Sequence, residues 1–324
     1  MRNISIPRKQ TSQGSRYKVN NWSEYNRSLK KRGSITLWLS DDVQEQWYYT
    51  SKQGKGGQFT YSNTCIEACC IIRKVYHLPL RQTEGFMKSI IELMQLEMAV
   101  PDYTVICRRS SKLKISSLLT KRINTGGHLH IVMDSTGLKV YGEGEWKVRQ
   151  HGYSKHRTWR KIHIALNPED GIIHAAEMTT NGVDDAAMVK PVLGKIKGKV
   201  KKFGGDGAYD KTKVYDTLEK EKIKPIIPPR KNARIKQHGN SSKRAKPRDR
   251  AIRYIRKHGK KKWKKVHQYH KRSLAETTMF RYKTILGDKL QSRTYDRQCV
   301  EALISCKILN KMTQCGMPES VKIK

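Results

Sequence analysis

The chain has 324 residues, enough for about two domains and at least one full hydrophobic core. Lys and Arg number 67 against 28 Asp and Glu, a formal net charge of +39, which opposes compaction unless a polyanion neutralises it. Nucleic acid is therefore the expected partner and an acidic membrane surface the weaker rival. No run of about 18 apolar residues and no apolar signal-peptide core is present, so a soluble, cytoplasmic protein with no membrane partner is expected.

Residues 1–35 are polar and basic and read as a flexible arm, while 36–62 carry aromatic anchors and a Gly-rich turn without a definable element. From 63 to 97 the apolar spacing is helical, broken into two helices by HLPLR at 77–81. A third helix is expected to open at Pro101 in VPDYTVICRRSSKLK, because Pro suits a first helical turn. Together these make 63–125 a helical region with the outline of a helix-turn-helix. Its last helix carries Arg108, Arg109 and Lys112, candidate DNA contacts, together with Lys114. Small helical bundles with a basic face are common, so this outline fits a packing unit as well as a DNA reader.

Residues 126–313 change period. HLHIVMD (128–134), LKVYG (138–142) and RTWRKIHIAL (157–166) read as strands, and IIHAAEMTT (172–180) returns through the NPEDG turn as a hairpin partner. A helix is expected over 184–196, a short strand ending near Asp206, a helix over 211–222 and a strand over 223–229. That succession is an α/β layer structure with a mixed sheet. Residues 230–265 are a basic insertion in which 17 of the 36 residues are Lys or Arg. Such a run is ordinarily solvated, although Ile252, Tyr254, Ile255 and Trp263 suggest that part of it packs as helix. A long helix is expected from about 262 to 287, a last one over 296–313, and a tail over 314–324. Seven Cys, an odd number without a CxxC pair, indicate no disulfide framework or zinc knuckle.

Two acids stand near strand ends: Asp134, followed by STG, and Asp206 in GGDGAYD. Taken alone, each fits a strand-ending turn as well as a site. Glycines at 204, 205 and 207 remove bulk around Asp206, which would let a metal and a phosphate approach. Glu276 is the one carboxylate between Asp249 and Asp288. On a helix, Tyr269, Arg272, Glu276 and Lys283 would share one stripe. One acid among many bases is unlike a helix stabilised by alternating charge pairs. Hard carboxylate oxygens suit Mg²⁺.

The spacing Y-x2-R-x3-E-x6-K over Tyr269, Arg272, Glu276 and Lys283 resembles the signature around the last acid of DDE transposases from bacterial insertion sequences. DSTGLKVYGEGEWK, SKHRTWRKIHIAL, GDGAYD and IIPPRKNA, in that order, resemble segments of the IS-four/IS-five superfamily, and LPLRQTEGF and VPDYT its helical amino-terminal region. The resemblance implies a ribonuclease H-like catalytic core behind a helical N-terminal DNA-binding region. It further implies that Asp134, Asp206 and Glu276 form the catalytic triad and hold two Mg²⁺ ions, with Mn²⁺ as a substitute. Two such ions activate a water and stabilise the departing 3′ oxygen; the exposed 3′-OH then attacks target DNA. Arg272 and Lys283 are expected to hold phosphates, and Tyr269 either positions DNA or packs. The implied partners are terminal inverted repeats and target DNA, bound by a homodimer or larger assembly at the bacterial nucleoid. The rivals are a non-enzymatic DNA-binding protein and another nuclease of the same fold.

Overall fold

The computed structural model describes residues 17–50, 59–115, 128–140, 159–236 and 245–323. Its centre is a mixed sheet of β2 (Leu129–Val140), β3 (Trp159–Asn167), β4 (Ile172–Thr180), β5 (Val200–Gly204) and β6 (Lys224–Ile226), in the order β4-β3-β2-β5-β6. The hairpin-connected β2, β3 and β4 pair antiparallel, whereas β5 lies parallel to β2 and β6 parallel to β5. The first strand of the sheet is thus central, with its two successors on one side and the crossover strands on the other. This is the α/β, ribonuclease H-like arrangement that the sequence led us to expect.

Alternation along β2 sorts its side chains between two apolar layers. Leu129, Ile131 and Met133 face a cluster with α7 (Val189–Gly194) and α8 (Thr212–Lys220), closed by Val192, Val214, Leu218 and Tyr209. Val132 and Leu138 face the larger cluster. That cluster is covered by α4 (Asn63–Val75), α5 (Leu80–Leu93), α6 (Tyr103–Ser110), α11 (Ser273–Leu286) and α12 (Tyr295–Gln314). Helix α12 is buried along most of its length, and Asn310 ties it to β4 by exchanging hydrogen bonds with both backbone groups of Ile173 (2.8 Å each).

Several expectations are revised. Residues 128–134 and 138–140 belong to one continuous strand, because Gly137 lies flat under the Trp159 ring, 3.1 Å from where a Cβ would stand, and does not break the ladder. Asp134 is therefore mid-strand. The stretch read as an arm is helical at α1 (Trp22–Arg32). In the unassigned stretch, α2 (Ile35–Trp38) and α3 (Asp41–Glu45) deliver Trp38, Leu39 and Trp47 into the same core as the sheet. β1 (Tyr17–Val19) pairs with β8 (Ser320–Lys322), so part of the expected tail is a strand. Helix α6 starts after Asp102, which caps it by accepting from Thr104 and Val105 N–H; Pro101 stands before the cap.

The basic insertion is partly a helical hairpin, α9 (Pro247–His258) and α10 (Lys260–Val266), turned at Gly259 with φ +81°. Ile252 and Trp263 are its buried apolar residues. The single long helix expected over 262–287 is three pieces. Gln268, left-handed at φ +51°, ends α10, a 3-10 turn spans Tyr269–Arg272, and α11 follows. The segments around YGEGEW and SKHR, and all of 237–244, lie outside the described residues.

Candidate active site

The sheet register brings the first two acids together. Val132 pairs with Gly204 across the parallel β2–β5 ladder. Asp134 and Asp206 each follow that pair by two residues on neighbouring segments, near enough for Asp206 to push up the Asp134 carboxyl. Beyond Gly204 the chain bends, and Asp206 caps a 3-10 turn over Gly207–Tyr209 by accepting from Ala208 N–H at 2.8 Å. On the same side of β2 as β5, the strand β7 (Lys289–Leu290) pairs only from Lys139 onward. Among the described residues, Asp134 thus lies in a fork between two parallel neighbours, the kind of split where an open sheet admits ligands.

The third acid comes from the layer above. Asp134 has the same strand parity as Val132 and so points toward the α11 side, where the 3-10 turn and α11 both pack on β2. Arg272, the last residue of that turn, donates from Nη1 to Asp134 Oδ2 at 3.3 Å and from Nη2 to Glu276 Oε1. One planar guanidinium therefore spans two of the three carboxylates. Ser135 N–H donates to Asp134 Oδ1 at 2.9 Å. Burial lifts the Asp134 carboxyl above its ordinary range; the Ser135 N–H and Arg272 pull it back, while Asp206 and Glu276 push it up. Glu276 itself is 55% exposed on the first turn of α11.

Tyr269 lies beside this group. Its ring is 5.8 Å from the Arg272 guanidinium and 5.5 Å from Lys264 Nζ, and it sits 5.8 Å from the Trp263 ring. Burial raises its phenol pKa, with Arg272 opposing and Asp206 and Glu276 adding to the rise. Lys283 is two helical turns beyond Glu276, roughly 10 Å along α11. The expected stripe therefore survives for Glu276 and Lys283 on α11, while Tyr269 and Arg272 reach the same place from the 3-10 turn.

Arg108, Arg109 and Lys112 stand on and just after α6, away from the acids. Arg109 donates to Tyr61 O and to Asn63 Oδ1 (2.8 Å), and its guanidinium lies 4.6 Å over the Phe59 ring. That side chain fastens α6 to the 59–63 segment. Gly205 also has another role than the one expected. A Cβ there would come within 2.7 Å of the Tyr209 ring, so the space is filled by the protein, as is that beside Gly204, where Val132 is 3.3 Å away.

Asp210 was not foreseen as important. Its side chain is 0% exposed and accepts from Arg248 Nε (2.7 Å) and Nη2 (3.2 Å), Arg230 N–H (3.0 Å) and Tyr215 OH (3.2 Å). Its signal in the sequence is the second acid of GDGAYD, four residues after Asp206. Asp249, buried on α9, accepts from Lys236 N–H. The insertion is thereby held to the core at the buried Asp210 and to itself at the buried Asp249.

All of the three acids' donor atoms are hard oxygens, which fits a divalent cation of the Mg²⁺ type, and Arg272 shows that positive charge is accommodated between two of them. Among the described residues, no three Asp, Glu, His or Cys side chains stand close enough to make a ready cation cage. Asp134 and Glu276 are joined through the guanidinium instead.

A model described as a transposase DDE domain matches residues 125–311, more than half of the chain, and a second with the same description matches residues 30–143. The chain belongs to the DDE transposases, which makes it a metal-dependent enzyme acting on DNA. The second match begins at residue 30, inside the stretch whose composition suggested an arm. Among solved structures, the chain is similar to piggyBac transposase in a synaptic complex with hairpin DNA. Identity is 11% over 88% of this chain and 73% of that one, with a TM-score of 0.38.

Proposed function

We propose that Asp134, Asp206 and Glu276 are the catalytic triad of this transposase and that its physiological ion is Mg²⁺, held as a pair. The observation that supports this reading is the Arg272 guanidinium shared by Asp134 and Glu276, with Asp206 on the segment that follows the strand next to Asp134. When bound, two divalent ions supply an activated water and neutralise the departing 3′ oxygen. The protein's own groups do the rest. Asp134, raised by burial, gains from any cation that shares its pocket. Arg272, once a cation takes over its place between the acids, is positioned to turn to a phosphate oxygen, which its planar fork matches. Lys283 offers a point charge to the neighbouring phosphodiester.

The reaction sequence in this reading is cleavage at the element ends, followed by attack of the exposed 3′-OH on target DNA. Terminal inverted repeats and target DNA are the substrates, and two ends call for at least a dimer in the complex. Placement in the IS-four/IS-five superfamily and a DNA-binding role for Arg108, Arg109 and Lys112 on the helical region go with it. The test is Glu276→Gln. End cleavage in Mg²⁺ should fall by about 10³-fold or more, as when one of several cooperating groups is lost, with DNA affinity nearly unchanged. A variant that still cut terminal-repeat DNA at the original rate would remove Glu276 from the triad.

A further inference from the structure

Next to the acids, on the far side of Arg272, is a concave surface of about 340 Å³ lined by Lys264, Lys265, Tyr269, His270, Arg272 and Ser273. The lining holds three fixed cations, an imidazole, a phenol and a hydroxyl, and no carboxylate. All can donate hydrogen bonds, and their chemistry is that of an anion receptor. Two of its walls have different origins. Tyr269, His270 and Arg272 come from the 3-10 turn that carries the site, whereas Lys264 and Lys265 come from α10 of the basic insertion.

The position of α10 is fixed by the packing already described. Trp263 is buried and its ring stands against Tyr269 at 5.8 Å, so the two lysines that follow it are set at the mouth of the cleft. Lys264 and Lys265 are exposed, and Lys264 Nζ lies over the Tyr269 ring. Arg272 is the wall shared by the cleft and the acid group, since the same guanidinium meets Asp134 and Glu276.

We infer that this cleft is a phosphate-binding subsite for the DNA strand being cut. In it Lys264 and Lys265 hold a backbone phosphate next to the scissile one, and the insertion serves as a clamp on DNA at the catalytic centre. The inference rests on the transposase reading of the acids and adds to it a subsite built by α10.

The test measures binding of a labelled duplex ending in the DNA that bounds this reading frame, across a range of salt concentrations. Each phosphate neutralised on a duplex contributes about 0.9 to the slope of log affinity against log salt, so Lys264→Gln with Lys265→Gln, which frees the one phosphate they hold, should lower its magnitude by about 0.9. Lys264→Arg with Lys265→Arg should keep the slope. Lys197 and Lys199 lead into β5 at the end opposite Asp206, and replacing both with Gln should leave the slope as it was. An unchanged slope in the Lys264/Lys265 variant overturns the subsite. So does an equal fall in the Lys197/Lys199 variant, which would mean that net charge alone is being read. Absence of DNA cutting by the unsubstituted protein in Mg²⁺ or Mn²⁺ would instead count against the triad, leaving the slope comparison intact.

Discussion

Glu276 stands alone in sequence because its partners are brought to it by the fold. Its nearest cation, Arg272, is one turn earlier and is shared with Asp134, 138 residues away in sequence. An exposed i,i+4 pair would by itself stabilise the helix by only about 0.3–0.5 kcal/mol, so the link to Asp134 is the part of the contact that signals a site. A second residue-scale feature concerns stability. His163, wholly buried, shares a hydrogen bond with Thr179 Oγ1 at 2.9 Å and lies 3.7 Å from Asp185 Oδ1. Burial lowers its pKa to about 4, against the pull of Asp185 and Glu177 and with help from Lys161. His130 is likewise lowered to about 4 by burial, with Lys202 and Lys271 adding and Glu169 opposing.

An unfolded His titrates near 6.5, so between that value and about 4 the unfolded chain binds more protons than the native one. Stability is complete above about pH 6.5 and is lost as pH falls toward about 4, by up to about 3 kcal/mol per ring. Urea midpoints measured down this range should fall steeply, and His163→Gln should show a shallower fall. Superimposable pH curves for the two proteins would contradict the assignment.

At the scale of elements, the insertion is held by buried acids. Arg248 on α9 meets Asp210 in an environment closed to water, and Asp210 also takes the Arg230 N–H and the Tyr215 hydroxyl. Arg248→Met leaves that carboxylate buried without its counter-charge and should cost about 3–5 kcal/mol in global unfolding. Hydrogen exchange should accelerate first in α9 and α10, the elements that the pair secures. A loss below about 0.5 kcal/mol would place Arg248 among the ordinary surface cations.

The strands and the helices of the core were legible in the sequence because the NPEDG turn ahead of IIHAAEMTT and helical spacing in 63–97 are strong local signals. The register that brings Asp134 near Asp206 was not, since it depends on a parallel pairing between segments 72 positions apart. Nor was the break at Gln268, a residue with no sequence mark of a left-handed turn. Trp38 and Trp47 stand among aromatic anchors in a stretch without a helical or strand period, so their place in the sheet's own core, against α4 and α12, was not legible.

At the scale of the molecule, the helices that flank the sheet are bound to one another. Lys74 on α4 and Glu301 on α12 form a buried pair at 2.9 Å, and Glu301 also accepts from the N–H groups of Gln291 and Ser292. With β1 on β8 and the aromatic residues of α2 and α3 in the sheet's own core, the regions that composition separates share one apolar cluster. The net charge of +39 is then carried by a folded body whose two cationic elements nearest the acids, α10 and the 3-10 turn, face one cleft. Such a body concentrates polyanions by long-range attraction and leaves selection to the site.

The account depends on Asp134, Asp206 and Glu276 serving one shared cation site, and Mn²⁺ binding followed by electron paramagnetic resonance reads this without requiring turnover. Asp134→Asn, Asp206→Asn and Glu276→Gln should each weaken Mn²⁺ binding by at least about tenfold, a loss that even supporting residues of a metal site produce. Mn²⁺ binding that is equal in the unsubstituted protein and in all three variants would contradict it.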